Sequence, residues 1–141
     1  MKILLVGSGG REHALALGLQ ADSACTELHV APGNPGIEEF AEIHPLAVTD
    51  NAAIAALAQS LAVDLVVIGP EVPLVNGAAD VIRSLGIPVF GPSKAAAQLE
   101  GSKDFAKGAM RDAGVPTAQS FTCSSQVEIE KALDTFGAPY V

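Results

Sequence analysis

"VGSGGREHAL", residues 6–15, follows directly on a short apolar run and decides how the start of this chain folds. The run at residues 3–6 is typical of a strand buried on both faces, and the alanine- and leucine-rich stretch 11–20 predicts a helix. A strand, a glycine-rich turn and a helix in this order leave free backbone N–H groups and the positive end of the helix dipole at the turn. We therefore expect this corner to bind an anionic ligand. The alternative is that the glycines only let the helix and the strand pack closely.

Strands and helices continue to alternate as far as residue 92. One predicted helix is capped by Asp50 or Thr49, and another follows Pro70 and ends before Gly86. Short links between such elements favour an α/β fold, a Rossmann-like parallel sheet with helices on both faces. The predicted strands are 2–6, 27–31, 43–48, 63–68 and the stretch "IPVFG" at 87–91.

The pattern changes after residue 92. Short helices are predicted over 95–99 and 103–113, and residues 119–122 suggest a strand. The capping box Ser125-x-x-Glu128 opens a helix that runs through Phe136, and a further strand begins at Pro139. We expect two domains, 1–92 and 93–141, of which the second is the truncated start of a larger domain.

Composition excludes several classes of protein. The 141 residues are 49% hydrophobic and 17% charged, with a net charge of −8, so the chain folds and nucleic-acid binding is disfavoured. Cys25 and Cys123 suggest neither a disulfide nor a zinc site, and the three histidines show no metal-ligand spacing. The N-terminal apolar run is too short for a signal peptide or a membrane span. We expect a cytoplasmic protein with no membrane partner and no metal site in this chain.

The glycine-rich corner does not match the dinucleotide fingerprint. Reading G-x-G-x-x-G from Gly7 requires glycine at position 12, where Glu12 stands. The acidic residue that normally ends the second strand is also missing, because Ala31 and Pro32 occupy that place. NAD binding is therefore disfavoured.

Three further stretches carry candidate chemistry. Glu71 lies just past the strongest predicted strand, at the sheet edge where α/β proteins bind ligands, although it equally suits a helix start. "APGNPG" at 31–36 reads as a rigid turn or as a wall of the same pocket. Lys103 begins a helix whose basic residues share one face; a solvated face is the ordinary explanation, and a phosphate contact is the other.

Four stretches in this order resemble the start of the glycinamide ribonucleotide synthetases, the phosphoribosylamine–glycine ligases of the ATP-grasp superfamily. They cover essentially the whole chain, and the ordered set is far more specific than any one of them. They are "GSGGREHAL" at 7–15, "APGNPG" at 31–36, "GPEVPLVNGAAD" at 69–80, and "PVFGPSKAAAQLEGSKDFAK" at 88–107 with "GVPTA" at 114–118.

This resemblance implies an ATP-dependent enzyme that joins glycine to 5-phosphoribosylamine in purine biosynthesis, with Mg²⁺ accompanying ATP. It implies that Gly9, Gly10, Arg11 and Glu12 face the ribosylamine, that Glu71 binds its sugar or amine, and that Lys103 lies on the ATP side. The remaining ATP, Mg²⁺ and glycine sites would lie beyond this chain. We therefore expect no catalysis by residues 1–141 alone, and the oligomeric state stays open.

Two alternatives remain. One is the first domain of another ATP-grasp ligase, such as a carboxylase or a transformylase. The other is a non-catalytic module that binds a nucleotide or a dinucleotide.

Overall fold

The computed structural model of this protein describes residues 1–139. In it strands and helices alternate from the N-terminus to residue 101, and the rest of the described chain is helical or irregular. The elements are β1 (Lys2–Gly7), α1 (Gly10–Ala21), β2 (Glu27–Pro32), α2 (Pro35–Glu38), β3 (Glu42–Ile43), α3 (Asn51–Ser60), β4 (Leu65–Ile68), α4 (Glu71–Asn76), α5 (Ala78–Ser84), β5 (Val89–Phe90), α6 (Lys94–Gly101), α7 (Lys103–Asp112) and α8 (Gln126–Phe136).

The strands form one parallel sheet in the order β3-β2-β1-β4-β5. The central strand β1 pairs with β2 on one side and with β4 on the other, so Leu4 has His29 and Val66 as its register partners. This arrangement confirms the predicted Rossmann-like α/β fold. It also confirms that the apolar run of β1 is buried on both faces.

Each face of the sheet carries its own core. Residues such as Leu5 and Val30 pack with Ala16 of α1 and Ile37 of α2. The opposite face is covered by α3 to α6. Its core consists of Leu4, Val6, Ala31, Ile54, Ala55, Ala58, Val63, Val66, Ile68, Leu74, Ala78, Ala79, Ile82 and Ala97.

The chain divides into two compact units, Met1–Gly101 and Ser102–Val141. The first unit includes α6, which packs against α4, whereas the sequence prediction placed the division after residue 92. The exact division between functional domains stays a prediction. None of the described helices is long and apolar enough to cross a membrane.

Several predicted elements differ from the structure. The helix expected from Pro70 to Leu85 is two helices, because Gly77 adopts the left-handed region (φ +95°) and ends α4. The strand expected over 43–48 stops at Ile43. His44 N–H still donates to the Val30 carbonyl, but β2 itself ends at Pro32, which this register would place opposite Pro45, so residues 46–48 have no strand to pair with.

Two predictions concern the second unit. Residues 119–122, expected as a strand, are irregular. The strand predicted to begin at Pro139 falls mostly on residues 140–141, which lie outside the described residues. The capping residue of α8 is confirmed as Ser125, whose hydroxyl accepts from the Glu128 N–H.

Candidate functional site

The candidate site lies where the chain leaves two adjacent strands. The sheet order reverses direction between β1 and β4, because β1 connects to β2 on one side whereas β4 connects to β5 on the other. In open α/β sheets the crevice at such a reversal, outside the carboxyl ends of the strands, is the usual ligand site. Here the glycine-rich corner follows β1, and Gly69, Pro70 and Glu71 follow β4.

The Glu12 carboxylate is the centre of the glycine-rich corner. Its residue is 5% exposed, and Oε2 accepts a 2.8 Å hydrogen bond from the Gly9 N–H. A Cβ placed on Gly7 would lie 2.4 Å from Cγ of Glu12, and one on Gly69 would lie 2.3 Å from its Oε1. Both glycines therefore leave space for the Glu12 side chain. This explains why the corner needs glycines although it is not a dinucleotide fingerprint.

The turn after β2 supports this corner from the side. The Asn34 side chain donates to the Ser8 carbonyl (3.0 Å), and its Oδ1 accepts from the Gly36 and Ile37 N–H groups that open α2. Gly33 N–H also donates to the Gly7 carbonyl (3.1 Å). The stretch "APGNPG" is thus a rigid turn that fixes the backbone of the neighbouring loop.

The predicted ribosylamine residues are brought together by the fold. A depression of about 290 Å³ is lined by Gly9, Gly10, Arg11, Glu12, Pro70 and Glu71. Arg11 Nη1 donates to the Gly69 carbonyl (3.1 Å), which holds the guanidinium across the crevice between the ends of β1 and β4. That these residues bind a substrate stays a prediction at this point.

A second depression, of about 260 Å³, adjoins the first and shares Arg11 and Glu71 with it. Sequence reasoning missed its other polar member, Glu100, and its apolar wall. The position of this stretch in the sequence could have indicated it, because the residues after β5 follow a strand that ends at the same edge of the sheet as β1 and β4. The remaining lining residues are Gly69, Leu74, Pro92 and Ala97.

Lys103 belongs to the second compact unit. It is the exposed first residue of α7, whose cap Ser102 accepts from the Phe105 N–H (3.2 Å). Basic residues of the same helix make local contacts: Lys107 Nζ donates to Thr117 Oγ1 (2.7 Å) and to the Ala118 carbonyl (2.6 Å). The predicted role of Lys103 toward ATP stays a prediction.

This chain is similar to known proteins over most or all of its length. A family model described as the N domain of phosphoribosylglycinamide synthetase matches residues 1–100. A phosphoribosylamine–glycine ligase of Streptomyces coelicolor is 57% identical over the whole of this chain. The chain spans about a third (34%) of the length of that relative.

Solved structures agree in fold. A crystal structure of the phosphoribosylamine–glycine ligase of Thermotoga maritima superposes with a TM-score of 0.67 at 30% identity; the match covers 97% of this chain and 31% of that one. A structure described as a glycinamide-RNase-transformylase T of Mycobacterium tuberculosis superposes with a TM-score of 0.71 over 99% of this chain and 40% of its own. At 23% identity, this second likeness shows the fold alone.

Proposed function

This chain belongs to the phosphoribosylglycinamide synthetase N-domain family, and we propose that it forms the ribosylamine-binding part of a phosphoribosylamine–glycine ligase. In such an enzyme ATP drives the joining of glycine to 5-phosphoribosylamine. The observation that carries the proposal is the convergence of Arg11, Glu71 and the start of α1 on one crevice. We place the enzyme in the cytoplasm, with small-molecule substrates and no nucleic-acid partner.

Each group in the crevice has a chemical task in this proposal. The first N–H groups of α1 have no partners inside the helix, so Gly10 and Arg11 offer backbone donors to a phosphate. The Arg11 guanidinium adds a charge-assisted donor, oriented by its bond to the Gly69 carbonyl. The Glu71 carboxylate accepts hydrogen bonds from the sugar hydroxyls or the amine.

Glu12 has a supporting task. Its carboxylate already bonds the Gly9 N–H inside the corner, so it acts on the substrate mainly by holding the loop backbone in place. The sequence-based role for Glu12, facing the ribosylamine, stays part of the proposal because the same residue lines the depression.

For ATP and Mg²⁺, the proposal assigns this chain one residue on the ATP side and no Mg²⁺ ligand. We assign Lys103 to the ATP side, as the resemblance implies. Among residues 1–139, the one group of three or more neighbouring metal-ligand side chains is His29, Glu42 and His44. Two of these are imidazoles, whereas Mg²⁺ takes oxygen ligands, so the described residues do not fit an Mg²⁺ site.

The test uses a complete ligase that carries this chain as its N-terminal third. Replacing Glu71 with Gln removes one charge-assisted acceptor while keeping its shape, which corresponds to a loss of about 1.5–3 kcal/mol. We expect KM for phosphoribosylamine to rise roughly tenfold or more on this scale, with KM for glycine and for ATP unchanged. Glu39→Gln, an exposed carboxylate that lies just after α2, is the matched control.

Two results would contradict the proposal. Equal kinetics for Glu71→Gln and Glu39→Gln would remove Glu71 from the site. Saturable micromolar binding of NAD to the chain would instead favour the nucleotide-module alternative. Calorimetry with glycinamide ribonucleotide, the stable product, distinguishes the ligase from the nucleotide-binding module. If the chain is part of a ligase, it should bind this product, and Glu71→Gln should weaken the binding.

A further inference from the structure

A cluster of histidines and carboxylates lies on strands β2 and β3, away from the crevice. His29 on β2 is the register partner of Glu42 on β3, and His44 follows β3. The Nδ1 atom of His29 lies 3.0 Å from Nε2 of His44 and 3.5 Å from Oε2 of Glu42. Nε2 of His44 lies 3.7 Å from Oε1 of Glu42. The two imidazoles, joined by a hydrogen bond, and the Glu42 carboxylate, which approaches His29 with Oε2 and His44 with Oε1, therefore form a compact cluster.

The dimensions of this cluster are close to those of a tetrahedral metal site. Bonds of about 2.0–2.2 Å to imidazole nitrogen or carboxylate oxygen, at tetrahedral angles, separate the ligand atoms by roughly 3.3–3.6 Å. The observed separations of 3.0, 3.5 and 3.7 Å fall on either side of this range, and a bound metal ion would replace the hydrogen bond that joins the two imidazoles. Two imidazoles and one carboxylate form a donor set that favours Zn²⁺ over Mg²⁺ or Ca²⁺.

Glu27 completes the arrangement on the far side of His29. Its Oε1 lies 2.9 Å from the other ring nitrogen, Nε2, so it accepts the proton held there. With the proton on Nε2, the lone pair on Nδ1 points toward His44 and Glu42. A carboxylate that orients a ligating histidine in this way is the common outer-shell partner in zinc sites. Lys2 Nζ lies 3.0 Å from Oε2 of Glu27 and so helps to hold this carboxylate in place.

The side chains of the cluster differ in how deeply they are buried. The His29 side chain is 3% exposed, that of His44 is 18% exposed, and that of Glu42 is 66% exposed. The buried imidazole is therefore fixed in direction, whereas the Glu42 side leaves room for entry and for a fourth ligand such as water. Three protein ligands and one open position are the pattern of accessible zinc sites.

We propose that His29, Glu42 and His44 bind a Zn²⁺ ion that joins the short edge strand β3 to β2, with Glu27 as the partner that orients His29. In the described structure β3 consists of only two residues at the sheet edge. Two paired residues hold β3 to β2 only weakly, and a metal ion bound by both strands would strengthen this connection. The site shares no residue with the ribosylamine crevice and does not depend on the proposed ligase function.

The experiment is calorimetry of the 141-residue chain with ZnCl₂, together with Co²⁺ absorption spectroscopy. We expect one saturable site and an ordered tetrahedral Co²⁺ spectrum without a thiolate charge-transfer band. Glu27→Gln should weaken Zn²⁺ binding roughly 10–100-fold, the usual effect of losing an outer-shell partner. His44→Gln and Glu42→Gln remove ligands and should each weaken binding more than Glu27→Gln does.

Matched controls come from the same chain. His13→Gln and Glu39→Gln remove a histidine and a glutamate that lie outside the cluster, and both should leave Zn²⁺ affinity unchanged. Far-UV circular dichroism checks the fold of each variant. If His44→Gln does not fold, the largely exposed Glu42 still provides a decisive variant.

Four outcomes would overturn the proposal. They are no saturable binding by the unmodified chain, binding that survives both His44→Gln and Glu42→Gln, equal loss in the controls, and a thiolate band showing that Cys25 or Cys123 holds the metal instead.

Discussion

The two compact units of this chain differ in how completely they bury their apolar side chains. In Met1–Gly101, core residues such as Leu4, Val30 and Ile54 are fully buried. Among residues 102–139 none is buried, and Val127 and Phe136 are 73% and 47% exposed. Because apolar burial is the dominant favourable term in folding, the first unit accounts for most of the stability of the chain.

The second unit is held mainly by local contacts. Thr122 donates to the Asp104 carboxylate, and the rings of Phe121 and Phe136 meet edge to face at 5.1 Å. Exposed polar contacts of this kind contribute little each. The ligand corner is therefore built on the well-buried unit, whereas α7 and α8 are expected to open at lower free energy.

The largest expected difference is between two truncations of apolar side chains. Leu4→Ala leaves a cavity at the central strand and should lower the free energy of unfolding by about 2–5 kcal/mol. Val127→Ala, at an exposed position of α8, should change it by less than about 0.5 kcal/mol. Urea denaturation followed by far-UV circular dichroism measures both. Equal losses would show that the two units share one core.

Replacing one glycine by alanine in each compact unit should have opposite effects on stability. Gly69→Ala brings a methyl group within 2.3 Å of Glu12, which should cost about 1–3 kcal/mol through forced displacement. Gly108→Ala in α7 meets nothing within 4 Å and should stabilise that helix by up to about 1 kcal/mol. Thermal denaturation reports the first change, and amide exchange of α7 reports the second. A neutral Gly69→Ala would contradict the close packing around Glu12.

Two helix caps make the same kind of bond in different surroundings. Asp50 accepts from the Ala53 N–H at 2.9 Å, and Ser125 accepts from the Glu128 N–H at 3.3 Å. Asp50→Ala should lower global stability by about 1 kcal/mol, because α3 is part of the core. Ser125→Ala should reduce exchange protection in α8 alone. Hydrogen exchange read by mass spectrometry distinguishes them, and a global effect of Ser125→Ala would count against two separate units.

The smallest expected effect is a pH dependence of α8. Hydrogen bonds from the backbone N–H and hydroxyl of Ser124 lower the pKa of Glu128 below its ordinary value of 4.5. A carboxylate with a lowered pKa in the folded state stabilises it above the ordinary value, and this contribution disappears as the pH falls through the lowered pKa. NMR shifts of α8 should therefore move toward coil values in acid, and Glu128→Gln should remove that step. An identical acid transition in the variant would contradict it.

Much of the fold could be predicted because its signals are local. The apolar run of β1, the turn glycines and the cap at Asp50 each act within a few residues. Two predicted elements failed for other reasons: Gly77 ends α4 in the left-handed region, and β2 ends at Pro32, so the segment after β3 has no strand to pair with. Neither effect changes the apolar periodicity on which the predictions rested.

The candidate site was predictable in position but not in detail. Glu71 and the glycine-rich corner follow strands, so the sheet-edge rule placed them together. Glu100 escaped prediction because its place in the adjoining depression depends on how α6 packs against α4. The histidine cluster escaped because its ligands come from two paired strands and show no regular spacing along the chain.

The amino-acid sequence alone predicts the alternation of strands and helices and the sheet edge at which the candidate ligand residues lie. The three-dimensional structure is needed to show that Glu12 fills the space left by Gly7 and Gly69, and that Arg11 reaches a carbonyl 58 positions away. The difference lies in how far apart along the chain the interacting residues are. Periodicity and capping depend on neighbours along the chain, whereas these contacts depend on strand register and on helix packing across the sheet.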